Sequence, residues 1–269
     1  MLNRKHLSIA ACTLLVFAAC KKDQTADPTD LDYTAASDHA MADDAFTDMQ
    51  QSADDAVANN GIRGPEDACA PVVTFDTVSV PHTMTIDFGT VNCTAQNGRM
   101  RRGQLHITWS GAYRDSGTVK TITPVGYYVN DRHIQGLKTV TNMGHDSNGH
   151  IYYNVQADGT VTAADNSWTA EHHATRVRTW IAGSDTPGRQ DDVYSITGGG
   201  HGINRHGLAY TSSITNALRV AGNCPWIEQG TVEVLPQGKP VRTIDWGNGT
   251  CDNTFTVTVN GHTFTVTVG

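Results

Sequence analysis

Period two dominates the chain from Val72 to its C-terminus. Thr83 to Phe88 alternates apolar and polar residues, and so does Gln104-Leu105-His106-Ile107-Thr108-Trp109. Further runs of the same kind follow at Gly126 to Asn130, His133 to Thr141, Gly149 to Val155, Trp168 to Ile181, Val193 to Thr197, Leu208 to Ser212, Thr231 to Leu235 and Val241 to Trp246. Thr254 to Val259 and Thr263 to Val268 close the chain as two Thr-apolar repeats. Successive strand side chains point to opposite faces, so these runs predict half-buried strands with Val inside and Thr in water. Asn97-Gly98, Asn130-Asp131, Asn148-Gly149, Asp158-Gly159 and Asn260-Gly261 punctuate them. Such pairs accept the positive φ of a two-residue hairpin. Connections that short exclude parallel crossovers. The predicted fold is all-β: a large antiparallel meander, two-layered or strongly curled, forming a single domain over 61–269. A division at the Gly183 to Gly188 loop is the alternative.

Over 37–60 the period becomes helical. Phe46, Met49, Ala53, Ala56 and Val57 are spaced by three and four, which predicts one amphipathic helix. Ser37 or Asp38 is placed to cap its start, and Asn59-Asn60-Gly61 to end it. The expectation is that the apolar stripe packs on the sheet. Asp43, Asp44, Asp48, Asp54 and Asp55 would then lie in water, the other reading being an acidic partner-binding helix.

The first residues change the address. Met1 to His6 is basic, Leu7 to Ala19 is apolar and ends in small residues, and Cys20 follows. That is the plan of a secretory signal, too short to span a bilayer, which takes about 20 apolar residues. Phe17-Ala18-Ala19-Cys20 resembles a bacterial lipobox, with Phe in place of the usual Leu. The reading is a lipoprotein signal peptide over 1–19, with Cys20 acylated (as by palmitate) on a membrane. Residues 20–36 are read as a tether letting the body stand roughly 20 Å from the lipid.

Net charge is −8, with 17% charged residues. Residues 21–67 carry twelve acids against Lys21, Lys22 and Arg63, which leaves the body nearly neutral. A broad basic face for nucleic acid is therefore not expected. Arg99, Arg101 and Arg102 are read as a solvated hairpin tip. The catalytic spacings G-x-S-x-G and H-E-x-x-H are missing, as are nucleotide-binding glycine loops. Gly198-Gly199-Gly200 is read as a turn or bulge. His172 and His173 are adjacent and must point to opposite faces of a strand. His201 and His206, with Asp191 or Asp192, are the weighed metal candidates. The expectation is no metal, no cofactor and no catalytic residue.

One motif repeats: Thr85-Ile86-Asp87-Phe88-Gly89 with Cys93, and Thr243-Ile244-Asp245-Trp246-Gly247 with Cys251. Each copy has an upstream cysteine, Cys69 or Cys224. An even set in an exported chain reads as disulfides. The repetition predicts Cys69–Cys93 and Cys224–Cys251, the rival being Cys69–Cys224 with Cys93–Cys251. Asp87 and Asp245 are read as turn caps rather than a catalytic pair.

The first motif, with Asn97-Gly98-Arg99, Arg102-Gly103, Tyr128-Val129-Asn130, Gln135-Gly136, Thr175-Arg176 and Asp245-Trp246-Gly247 to Cys251-Asp252-Asn253, resembles an uncharacterised envelope lipoprotein family of Bacteroidota bacteria. The resemblance implies an outer-membrane anchor, on its periplasmic or surface side, and no activity. The functional expectation is a non-catalytic binding or structural module for a glycan, lipid or envelope-protein partner. Its alternatives are a lipid or hydrophobic-ligand carrier with a curled sheet, and a secreted-side hydrolase whose site sequence spacing does not show.

Overall fold

The computed structural model describes residues 27–58, 70–95 and 97–268. Among them one helix, α1 (Thr34–Ala58), precedes fourteen strands. These are β1 (Val72–Asp76), β2 (His82–Asp87), β3 (Cys93–Thr94), β4 (Met100–Trp109), β5 (Val119–Val129), β6 (Arg132–His145) and β7 (Ile151–Thr162). They continue as β8 (Thr169–Ala182), β9 (Val193–Ile203), β10 (Ala209–Ala221), β11 (Ile227–Pro236), β12 (Arg242–Asn248), β13 (Thr254–Val259) and β14 (His262–Thr267). All join one open antiparallel sheet in chain order, except that β3 stands aside and pairs only with β4. β8 and β9 pair along most of their length, so the sheet runs unbroken across the Gly183 to Gly188 loop.

Local chemistry accounts for the turns. Asn130 and Asp131 both have positive φ, as do Asn260 and Gly261, and each pair closes a two-residue hairpin. In β13, Phe255, Val257 and Val259 are buried while the threonines between them are half-exposed. Asp158-Gly159 is the exception: it lies inside β7 and makes no turn. The polar run after Ser212 also hides a strand, because β10 continues to Ala221 through a bulge. There Ser213 pairs with Gly199 but Leu218 with Ile196, opposite the three glycines of β9. Bulges bend a strand and increase its twist, and register shifts interrupt seven of the ladders.

The sheet therefore curls, and α1 lies in its concavity. Ala35, Ala36 and Ala40 pack on Tyr210, Leu218, Val232, Ile244 and Phe255. Two turns later Phe46, Met49 and Ala53 pack on Ile86, Leu105, Ile122, Tyr127 and Ala157 from the other half of the sheet. Eighteen of the 25 helix residues are buried. The helix is rich in alanine, which lets strands approach its backbone on several sides. At the closest point the Phe46 ring lies against the backbone of Gly159, where a Cβ would sit 2.8 Å from Cζ and 2.0 Å from the Gln135 carbonyl oxygen. Hence glycine stands mid-strand there.

Three expectations for the helix change. It begins at Thr34, whose amide and hydroxyl donate to Asp32 Oδ1, so Ser37 and Asp38 are interior residues and Asp32 is the cap. Val57 is half-exposed rather than core. Most of the acids are not in water: Asp38, Asp43, Asp44 and Asp48 are buried, because a helix surrounded by sheet has no solvent face to give them. The proposed stop at Asn59-Asn60-Gly61 lies outside the described residues.

Candidate functional site

Every buried helix acid meets a partner from the sheet or its connecting loops. Arg205 Nε is 2.7 Å from Asp38 Oδ1. Arg176 Nη2 donates to both oxygens of Asp43 at 3.1 and 3.2 Å. Arg99 Nη2 is 2.8 Å from Asp44 Oδ1, and Arg101 Nε is 2.9 Å from Asp48 Oδ2, which also accepts from the Tyr127 hydroxyl. Lys120 Nζ lies 2.5 Å and Arg178 Nη2 3.2 Å from Asp54. Arg189 pairs with Asp55 and donates to the Gln51 carbonyl. Burial alone would raise the pKa of Asp48 and Asp54; the cations beside them overcome it and hold both well below the usual carboxylate range. Arg99 and Arg101 are thus buried in ion pairs and are not a solvated tip. Arg102 alone of the three faces outward, over the Tyr128 ring and paired with Asp131.

This ionic spine ends in a cavity of about 810 Å³ at the C-terminal end of α1. Asp54, Val57 and Ala58 form its floor, and Phe75, Ile107, Trp109, Trp180 and Tyr194 its apolar walls. Two loops close over it: 110–118, bearing Tyr113 and Arg114, and 183–192. Arg114 bridges them, donating to the Ser184 and Thr186 carbonyls while stacking over Trp180. Behind the wall, Arg178 lies 3.4 Å from the Tyr194 ring centre and donates to the Tyr113 hydroxyl. Tyr113 in turn stacks on Tyr153.

The polar groups of this cavity are held in its wall. Lys120, Arg178 and Gln50 occupy both oxygens of Asp54. Asp192 accepts from Trp180 Nε1 at 3.1 Å and from the Tyr194 hydroxyl at 3.2 Å. Burial raises the Asp192 pKa and lowers that of Lys120, the latter offset in part by Asp54. The chamber offers apolar and aromatic surface with fixed charges at its edges.

The structure separates the sequence candidates. Cys20 and Cys69 lie outside the described residues. Cys224 and Cys251 are bonded, which excludes the rival pairing with Cys93–Cys251, and Cys93 is itself disulfide-bonded. Asp87 and Asp245 each accept the amide of the glycine two residues on, at 2.8 and 2.9 Å, and cap turns. His172 and His173 take opposite faces, buried and half-exposed. His201 stacks on His173 across the β8–β9 ladder, not on His206. Asp192 and His206 lie beyond opposite ends of the eleven-residue β9, so that metal candidate does not assemble.

Sequence reading missed the cavity residues Lys120, Tyr113, Trp180 and Tyr194, and gave Asp54 and Asp192 other roles. A signal was present in β8, where Arg176, Arg178 and Trp180 share one parity and Val177 takes the other. Assigning valine to the core inverts that strand; its arginines point inward because the helix acids are there. No family model matches the chain, and no curated protein or solved structure matches it either.

Proposed function

We propose that this chain is a lipid-anchored envelope protein whose curled sheet binds a small apolar or amphiphilic molecule without chemically changing it. The observation that carries the reading is the cavity of about 810 Å³ walled by Phe75, Ile107, Trp109, Trp180 and Tyr194. Ligand pockets are typically largely apolar clefts of about 300–1,000 Å³ with few orienting polar groups. Arg114 stands at the mouth with its charge on backbone carbonyls and an aromatic ring, and no carboxylate among the described residues forms an ion pair with it. An acyl chain among the rings with an acidic head at Arg114 suits that arrangement. A hydrolase reading would use the two carboxylates of the cavity, Asp54 and Asp192. Both are engaged by wall residues, Asp54 by two cations, so the carrier reading is favoured.

Supporting the address are the signal-like start, the Cys20 lipobox and the resemblance to envelope lipoproteins. Titrating the protein with oleate while following Trp109 and Trp180 fluorescence tests the binding half. Saturable binding that Val57→Lys weakens about tenfold, or about 1.4 kcal/mol, supports it. Unsaturable binding, or binding indifferent to Val57→Lys, refutes it. The address is tested by Cys20→Ala, which should move the protein to the soluble fraction and abolish palmitate labelling.

A further inference from the structure

The buried centre of the molecule holds a second cluster that the cavity does not use. His39 and Asp43 stand one helical turn apart on α1, and His172 reaches them from the inward face of β8. His39 Nε2 is 3.2 Å from Asp43 Oδ2, and His172 Nε2 is 3.2 Å from Asp43 Oδ1. Both histidines are about fully buried, at 0% and 1% exposure. Each Nε2 meets the Asp43 carboxylate off the hydrogen-bond direction, and neither Nδ1 has a hydrogen-bond partner among the described residues. An unsatisfied buried polar atom costs about 1–3 kcal/mol, so two buried imidazoles whose only polar partner is a carboxylate already shared with Arg176 require an explanation.

We propose that His39, Asp43 and His172 hold a divalent transition-metal ion, zinc by donor type, that pins α1 to β8. Imidazole nitrogens and a carboxylate are ordinary zinc donors at about 2.0–2.2 Å, which places tetrahedral donor atoms about 3.3 Å apart. Each Nε2 lies near that spacing from its own oxygen of Asp43, and one donor atom from each of the three residues falls within a 4.8 Å cluster. His172 lies between Gly159 and Gly202 on the neighbouring strands, so no side chain crowds its ring from the ladder partners. A cavity of about 50 Å³ lined by Asp43, His172, Gln50 and Lys138 adjoins the cluster and has room for a water as a further ligand. Arg176 shares the Asp43 carboxylate and would remain behind it, orienting the ligand. The ion bonds both Nε2 atoms, and the two Nδ1 atoms keep their protons with no protein acceptor among the described residues. Because the cluster is sealed from solvent, its role is structural and the ion enters during folding.

The test is metal content and its consequence for stability in the whole mature chain. Protein produced in zinc-supplemented medium, or refolded with zinc chloride, should retain about one zinc per chain after dialysis. Cobalt in its place should give the visible absorption of a four-coordinate site. Refolding in EDTA should lower the Tm, and His39→Gln or His172→Gln should abolish retention, while His173→Gln, one residue on and facing outward, should not. If the histidine variants do not fold, the Tm of wild-type protein refolded with zinc or with EDTA decides alone. Substoichiometric zinc after both preparations with an unchanged Tm overturns the proposal, as does undiminished retention by the His39 and His172 variants.

Discussion

Arg101 of β4 closes a two-point ion pair on Asp48 of α1, with Nε 2.9 Å from Oδ2 and Nη2 on Oδ1, and both side chains are buried. The Tyr127 hydroxyl and Arg99 meet the same carboxylate. Removing one partner of a buried pair typically costs about 3–5 kcal/mol, and Arg99 and Tyr127, which stay on the carboxylate, hold the loss here to the lower end. Arg101→Met should therefore destabilise the protein by about that amount in urea unfolding. Adding Asp48→Leu should restore part of the loss, because the under-compensated carboxylate goes with it while Arg99 keeps Asp44. A double variant as unstable as the sum of the singles would show that the two residues act independently.

Acid should unfold the protein by the same route. Asp48 and Asp54 have folded pKa values depressed below an unfolded value near 4. A depressed carboxylate contributes stability that is fully present above the unfolded pKa and is lost as pH falls through the folded one. Stability should thus be insensitive to these groups above about pH 5 and fall steeply below about pH 4. Denaturant midpoints measured from pH 6 to pH 2 check this; Asp48→Asn should flatten the acid limb.

The strand pattern was legible in the sequence because most strands have one buried face and one toward water. The Thr-Val repeats of β13 and the Asn130-Asp131 and Asn260-Gly261 turns state their structure locally. What could not be read was where the helix sits. An amphipathic stripe such as Phe46, Met49 and Ala53 looks the same whether the other faces meet water or a curled sheet. The information lay in charge complementarity at long range, between six helix aspartates and basic residues more than fifty positions away, such as Arg99 and Arg205. The cavity depends on that placement and was hidden with it. The acid-rich segment, which taken alone resembles a solvated or partner-binding helix, is the ionic counterpart of the concave face.

Lys138 should give the opposite limb of the pH profile. It is buried with its Nζ on the Phe46 carbonyl, and Arg178, Lys120, Asp54 and Asp43 bear on it. Burial, helped by Arg178, brings its pKa down to about 7. Between that value and an unfolded value near 10.4 the unfolded chain binds the extra proton, so stability from this group rises with pH across the window. Lys138→Met should raise stability at pH 7 and remove the rise, which urea titrations from pH 7 to pH 10 measure.

Gly159 should tolerate no side chain. The Cβ of alanine would meet Phe46 Cζ and the Gln135 carbonyl at 2.8 and 2.0 Å, and the second contact is backbone that cannot turn aside. Overpacking of this kind costs about 1–3 kcal/mol or more. Gly159→Ala should lower the denaturant midpoint, and Phe46→Leu in the same chain should recover only the part due to the ring. Full recovery would place the whole clash on Phe46 and none on β6.

The Cys224–Cys251 bond ties the β10–β11 connection to the loop after β12, across 27 positions. Closing a loop of that size restricts the unfolded chain and contributes roughly 3–4 kcal/mol. Gln51 donates to the Cys224 carbonyl at 2.9 Å, so the bonded loop also holds the helix. Replacing both cysteines by alanine should lower stability by about the loop term and expose the amides of β12 to faster hydrogen exchange than those of β7, which lies far from the bond in the sheet order. Equal acceleration in both strands would mean that the bond stabilises only the sheet as a whole, through the unfolded state. A selective effect on β12 would show that it also fixes this end of the sheet against the helix.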